Sequence, residues 1–123
     1  MELKELQEIQ RNFDRKHGWE TGTHLEKEKL LMCLQQDLIG LFGEAGEFAN
    51  VLKRITLGCH KRPPQDLNSL FSNSMGNLRE EIVDTFIYLI RLADSLGVDL
   101  ESEYLKKLQF NEIRHKEFEV PNE

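Results

Sequence analysis

The chain is poor in the features that staple or anchor a fold. It has only two cysteines, Cys33 and Cys59, in no CxxC and in no Cys/His group with zinc-ligand spacing, so neither a disulfide framework nor a zinc site organises it. They read as reduced thiols, Cys33 buried in a helix and Cys59 in a loop. Only three prolines occur, two of them adjacent at Pro63–Pro64, which leaves long stretches where helix runs unbroken. No apolar run approaches the ~18 residues of a membrane span, and no basic start precedes an apolar N-terminal segment. The expected setting is cytoplasmic, without a membrane partner. Long basic runs are missing too: 16 Lys and Arg stand against 22 Asp and Glu, a net charge of −6. That balance excludes a general nucleic-acid binder, whose affinity rests on neutralising phosphates. It leaves room for a small anionic ligand whose charge a metal ion bridges to the protein.

What is present is helical periodicity. With 123 residues the chain reads as a single domain, 1–123. "ELKELQEIQRNFDRKH" carries Leu3, Leu6, Ile9, Gln10 and Phe13 along one face and stops at Gly18. Thr23 and Glu26 have capping-box spacing, and a second helix is expected from about His24 to Leu57 with Gly58 as its stop. Residues 58–77, with Pro63–Pro64, read as an irregular loop, a flap over a site or a subunit contact, with one short turn in "DLNSLF". Asn77 and Glu80 then open a third helix through Leu96, stopped by Gly97. Asp99 caps a fourth, with Leu100, Tyr104, Leu108 and Phe110 turned inward, and 119–123 is a tail. No strand pattern or repeat stands out. The fold class expected is all-α.

Chemistry enters with "LIGLFGEAGEFANVLKR", where Glu44 and Glu47 sit three residues apart inside an otherwise apolar helix. Glycines at 40, 43 and 46 surround them, although each costs a helix roughly 1 kcal/mol relative to Ala. The third helix answers with "LREEIVDTFIYLIRLA", which sets Glu81 and Asp84 at the same spacing. At 100° per residue each pair spans about 60° of its helix, on a flank bordering the apolar side. If the two flanks face each other, four carboxylates meet and need neutralising. Hard divalent cations do this with oxygen ligands, Mg²⁺ or alternatively Mn²⁺, and Gly43 and Gly46 leave room for a bulky ligand. The plainer reading is that each pair belongs to a solvated salt-bridge face.

Two further groups complement this. Lys107, Asn111 and Arg114 form one stripe on the fourth helix, able to clamp a polyphosphate, though such stripes are commonly solvated faces. Phe13, His17 and Trp19 offer aromatic faces to a nucleobase, although Phe13 also continues the apolar stripe. Glu80 is positioned either to orient or deprotonate a water, or to favour the helix dipole as a first-turn acid. A di-iron bundle would take a Glu-x-x-His from each of two helices, whereas here positions 47 and 84 are Glu and Asp.

The ordered pair of motifs, "GEAGEF" and "REEIVD", together with the Lys-x-x-x-Asn-x-x-Arg stripe, resembles the MazG-like family of all-α nucleoside triphosphate pyrophosphohydrolases. The likeness covers roughly residues 36–57 and 77–115. It implies a four-helix bundle assembling as a dimer or a dimer of dimers, and Mg²⁺-dependent cleavage of (d)NTP between the α- and β-phosphates to (d)NMP and pyrophosphate, with house-cleaning of non-canonical nucleotides as a role. Glu44, Glu47, Glu81 and Asp84 would hold metal, and Lys107, Asn111 and Arg114 would hold phosphates. The spacer 48–80 is longer than in compact relatives, and the N-terminal region does not align cleanly with them. A non-enzymatic helical assembly module and a phosphoribosyl-ATP pyrophosphohydrolase are the alternatives.

Overall fold

The computed structural model describes residues 1–19 and 21–121. Among them are four α-helices and no strand: α1 Leu3–Lys16, α2 Lys27–Cys59, α3 Leu67–Ser95 and α4 Leu100–Arg114, followed by a 3-10 turn at Lys116–Phe118. The expected all-α class is what is observed. At about 1.5 Å per residue, α2 and α3 are rods of roughly 50 and 44 Å. They pack side by side as a long antiparallel hairpin; α1 lies against α3, and α4 rests on α1. No described helix is long and apolar enough to cross a membrane.

Several boundaries follow the end signals. Gly18 and Gly97 adopt left-handed φ of 75° and 67° just past α1 and α3, conformations that cost Gly little. The Asp99 carboxylate accepts the Ser102 N–H at 3.3 Å and so caps α4. The capping box is not formed: α2 starts at Lys27 behind Glu26, which makes no side-chain cap. Its polar first turns are continuous with the rest, and it runs through Gly58, which is buried inside it, to Cys59.

The largest correction concerns 58–77. Only 60–66 lie between helices, because α3 begins ten residues before Asn77. Asp66 is its cap, accepting from the Ser69 N–H at 3.0 Å. Ser and Asn in "LNSLFSNSMGN" obscure the helix by propensity, yet Leu67, Leu70, Phe71 and Leu78 keep its period. Packing decides: Leu70 and Leu78 join Val51, Ile55 and Phe48 of α2 in the main apolar cluster. Pro63 and Pro64 are confined to the connection, outside either helix. Of the expected tail 119–123, residues 119–121 follow the 3-10 turn, and the last two lie outside the described residues.

α1 docks by its polar side. Its buried residues are Gln7 and Asp14, whereas Ile9 and Phe13 of the apolar stripe stay 52% and 48% exposed. Gln7 donates to the Val98 carbonyl and accepts the Leu100 N–H, tying α1 to the α3–α4 turn. α4 buries no residue at all; Tyr104, Leu108 and Phe110, expected inward, are exposed because this helix has chiefly α1 to rest on. Cys33 and Cys59 form no disulfide and are both half-buried, so Cys33 is less enclosed than expected and Cys59 ends a helix.

Candidate metal centre

Along the hairpin the seam changes character. At the connecting end it is apolar, with Val51 and Ile55 against Leu78. One to two turns further, the α2 flank carrying Glu44 meets the α3 flank carrying Glu81 and Asp84. One carboxylate oxygen from each of these three lies within 4.8 Å of the other two. All three are half-buried, and Glu81 Oε2 is shut off from solvent with no hydrogen-bond partner.

Such crowding shows in protonation. A hydrogen bond shared with Glu44 pushes the Glu81 carboxyl up to about 7; burial and the charges of Glu44, Asp84 and Glu47 push the same way. Near neutral pH a proton thus partly neutralises the cluster, and a cation supplied to it would take that place. Three convergent oxygens, no nitrogen or sulfur, and an orphaned buried oxygen fit a hard divalent cation such as Mg²⁺.

Glu47 is outside the convergent trio and exposed, yet close enough for its charge to act on Glu81. Glu80 is exposed on α3. At Gly43 and Gly46 an added methyl would meet nothing in this chain, so the α2 surface beside Glu44 is open. Gly40 differs, because a methyl there would overlap the Tyr88 ring, which lies against the bare backbone.

From Glu44 and Asp84 a cavity of about 640 Å³ extends past Tyr88 and Arg91 to Phe13 and Trp19 at the end of α1. Phe13, His17 and Trp19 cluster, with ring centroids 4.2 Å apart for Phe13–His17 and 5.2 Å for the stacked His17–Trp19. The helix stop builds this wall: Gly18 turns the chain, and the Trp19 N–H bonds the Asp14 carbonyl at 2.8 Å. Acids and aromatics expected at one site therefore border one cavity. The Lys107, Asn111 and Arg114 stripe is on α4 and lines no part of it; the Lys107 ammonium stands 4.8 Å above the Phe110 ring instead.

Sequence reasoning missed the cavity floor. Arg91 is clasped between Asp37, 3.0 Å from its Nε, and Asp14, 2.9 Å from its Nη1. Burial disfavours its charge, but the two carboxylates more than offset this and raise its pKa. Burial also raises Asp37, against the pull of Arg91. Next along the seam, Arg11 pairs with Asp94, which also accepts from the Thr21 hydroxyl at 2.5 Å. The available signal was a lone charge inside an apolar run: Asp37 in "LLMCLQQDLIGLF" and Arg91 in "FIYLIRLA".

Compared with known proteins, the chain matches no family model, no curated protein and no solved structure.

Proposed function

We propose that this chain is a Mg²⁺-dependent nucleotide pyrophosphohydrolase of MazG-like type, acting in the cytoplasm and cleaving nucleoside triphosphates between the α- and β-phosphates. The observation that carries the reading is the convergence of Glu44, Glu81 and Asp84 at one end of a cavity whose other end is aromatic. Its volume falls within the ~300–1,000 Å³ usual for small-molecule sites.

Glu44, Glu81 and Asp84 would hold the cation, with Glu47 completing the acidic field. When bound, it supplies Lewis acidity toward phosphate oxygens and water. Phe13 and Trp19 stack on the base and fix the distance from base to scissile bond. Glu47 or Glu80, both solvent-facing, orients the attacking water and takes its proton. The α4 stripe lies off the cavity in a single chain, so phosphate contacts by Lys107, Asn111 and Arg114 belong to an assembled form.

Assembly as a homodimer or homotetramer is part of the same reading. The chain exposes 9780 Å², whereas a folded monomer of this mass exposes about 6,800 Å². The excess, about 3,000 Å² on each chain, is ample for an obligate interface, which buries roughly 2,000–5,000 Å² summed over both partners. Ile39, Phe42, Ile82 and Ile113, 57–80% exposed, are the kind of side chain such contacts cover. These apolar faces also favour a second reading, a helical assembly module without catalysis.

The deciding experiment is a panel of nucleoside triphosphates with Mg²⁺, scoring pyrophosphate against orthophosphate. Pyrophosphate release that chelator abolishes and Glu44→Gln strongly reduces is expected. Turnover undiminished in chelator would overturn the metal reading, and no turnover with any nucleotide would leave the assembly module.

A further inference from the structure

We infer that Asp37 is the specificity-determining acceptor of this cavity, and that it selects bases carrying an exocyclic amino group over their oxo counterparts. The inference rests on the nucleotide reading above for the class of ligand, but its argument is local.

Asp37 lines the cavity between the acidic trio and the aromatic wall, and only 5% of its surface is exposed. Its two oxygens have different fates. Oδ1 accepts from Arg91 Nε at 3.0 Å. Oδ2 is shut off from solvent and has no partner. Asp14, the other carboxylate on Arg91, also takes the Gln10 amide at 3.0 Å. Of the two acids on Arg91, Asp37 is therefore the one with an orphaned buried oxygen, and Arg91 already spends Nε and Nη1 on carboxylates.

An ionised carboxylate can only accept. A buried acceptor left unmatched is costly, so a ligand whose N–H meets Oδ2, once the carboxylate turns toward the cavity that Asp37 lines, gains what the free protein lacks. A ligand placing a carbonyl there sets lone pair against lone pair. Cytidine against uridine, or adenosine against inosine, makes this exchange but also turns the adjacent ring nitrogen from acceptor into N–H donor. Purine riboside, which lacks the amino group and keeps the ring acceptor, isolates the amino group and should also bind more weakly than adenosine. A base stacked on Phe13 or Trp19 has its edge free to meet the cavity floor, where Asp37, Gln36 and Arg91 stand.

The chain's single tryptophan, Trp19, lines the cavity and reports on occupancy. Titrating the protein with cytidine, uridine, adenosine, inosine and purine riboside while following its fluorescence tests the base site with no phosphate and no metal. Amino nucleosides should bind tighter than their oxo partners by about 10- to 100-fold, the range for a hydrogen bond to a charged group. Asp37→Asn keeps the shape and can turn a donor toward the ligand, so the ratio should collapse or invert. If Asp37 merely holds Arg91 in place, the substitution would weaken both partners equally, with the ratio unchanged, and the inference is wrong. Equal binding by the unaltered protein, or no response to any nucleoside, also overturns it. Should Asp37→Asn not fold, as judged by its helical circular dichroism, the paired comparison on the unaltered chain decides alone. A failure here leaves pyrophosphate release from triphosphates untouched, and a chain inert toward triphosphates would still show or lack the nucleoside preference.

Discussion

The two ends of the α2–α3 hairpin are held by opposite means. At the connecting end, Val51, Ile55 and Leu78 close an apolar seam with Phe48 and Leu70. At the open end the same two helices meet α1 through Asp37, Arg91, Asp14, Asp94 and Arg11. The apolar end gains from burial itself, a term indifferent to fine geometry. The ionic end recovers little net energy after desolvation, but it tolerates only one arrangement of its partners. Glu44, Glu81 and Asp84 stand at the junction, where the apolar seam holds the helices together and the ionic end opens a polar cavity.

The strongest way to break this comparison is Arg91→Ala, which strands Asp14 and Asp37 together. Thermal or denaturant unfolding should show a loss of about 3 kcal/mol, the low end for breaking a buried pair, because cavity water relieves the stranded acids. Converting the cluster to Arg91→Met with Asp14→Asn and Asp37→Asn should recover most of that loss. A triple variant as unstable as Arg91→Ala would mean that the ionic end contributes more than uniqueness. At the other end, Ile55→Ala should cost about 2–3 kcal/mol, in the lower half of the usual range, because partly buried Phe48 and Leu70 can settle into the gap. Its Mg²⁺ affinity should stay near that of the unaltered protein, as calorimetry would show.

The junction itself responds to pH. Glu81 keeps its proton to about 7 in the folded chain and loses it near 4.5 when unfolded. Between those values the folded state binds more protons, so metal-free stability should fall as pH rises across the window. Melting at pH 5 and pH 7.5 checks this, and adding Mg²⁺ at the higher pH should restore the lost stability. Glu81→Gln should flatten the metal-free pH profile and weaken Mg²⁺ binding by at least the roughly 10- to 100-fold that losing even an outer-shell partner costs. The smallest effect is expected far from both seams. Lys106→Ala breaks the exposed 3.4 Å pair with Glu103 on α4 and should change the melting free energy by less than about 0.5 kcal/mol.

Legibility in the sequence followed the range of the interactions. Glu44, Glu81 and Asp84 were readable because spacing on a helix is a local property and an acid in an apolar run is conspicuous. The stops at Gly18 and Gly97 were readable for the same reason. The start of α3 was not, since Ser and Asn argue for a loop while Leu70 and Leu78 pay off only against Val51 and Ile55. The facing of α1 was not readable, because its sequence shows an apolar stripe and only the ion pairs of Arg11 and Asp14 reveal the docked side.

By itself, then, the sequence determined the helical class, the stops of α1 and α3, the Asp99 cap of α4 and the pairing of acids on two flanks, all set by the helix repeat and by the chemistry of neighbours a few residues apart. The tertiary structure alone decided that three of the four acids converge, that α1 lies polar side down, and that Asp37 meets Arg91 from 54 positions away. Those outcomes depend on how long rods slide and turn against one another, and that register is set by packing and ion pairing between distant segments.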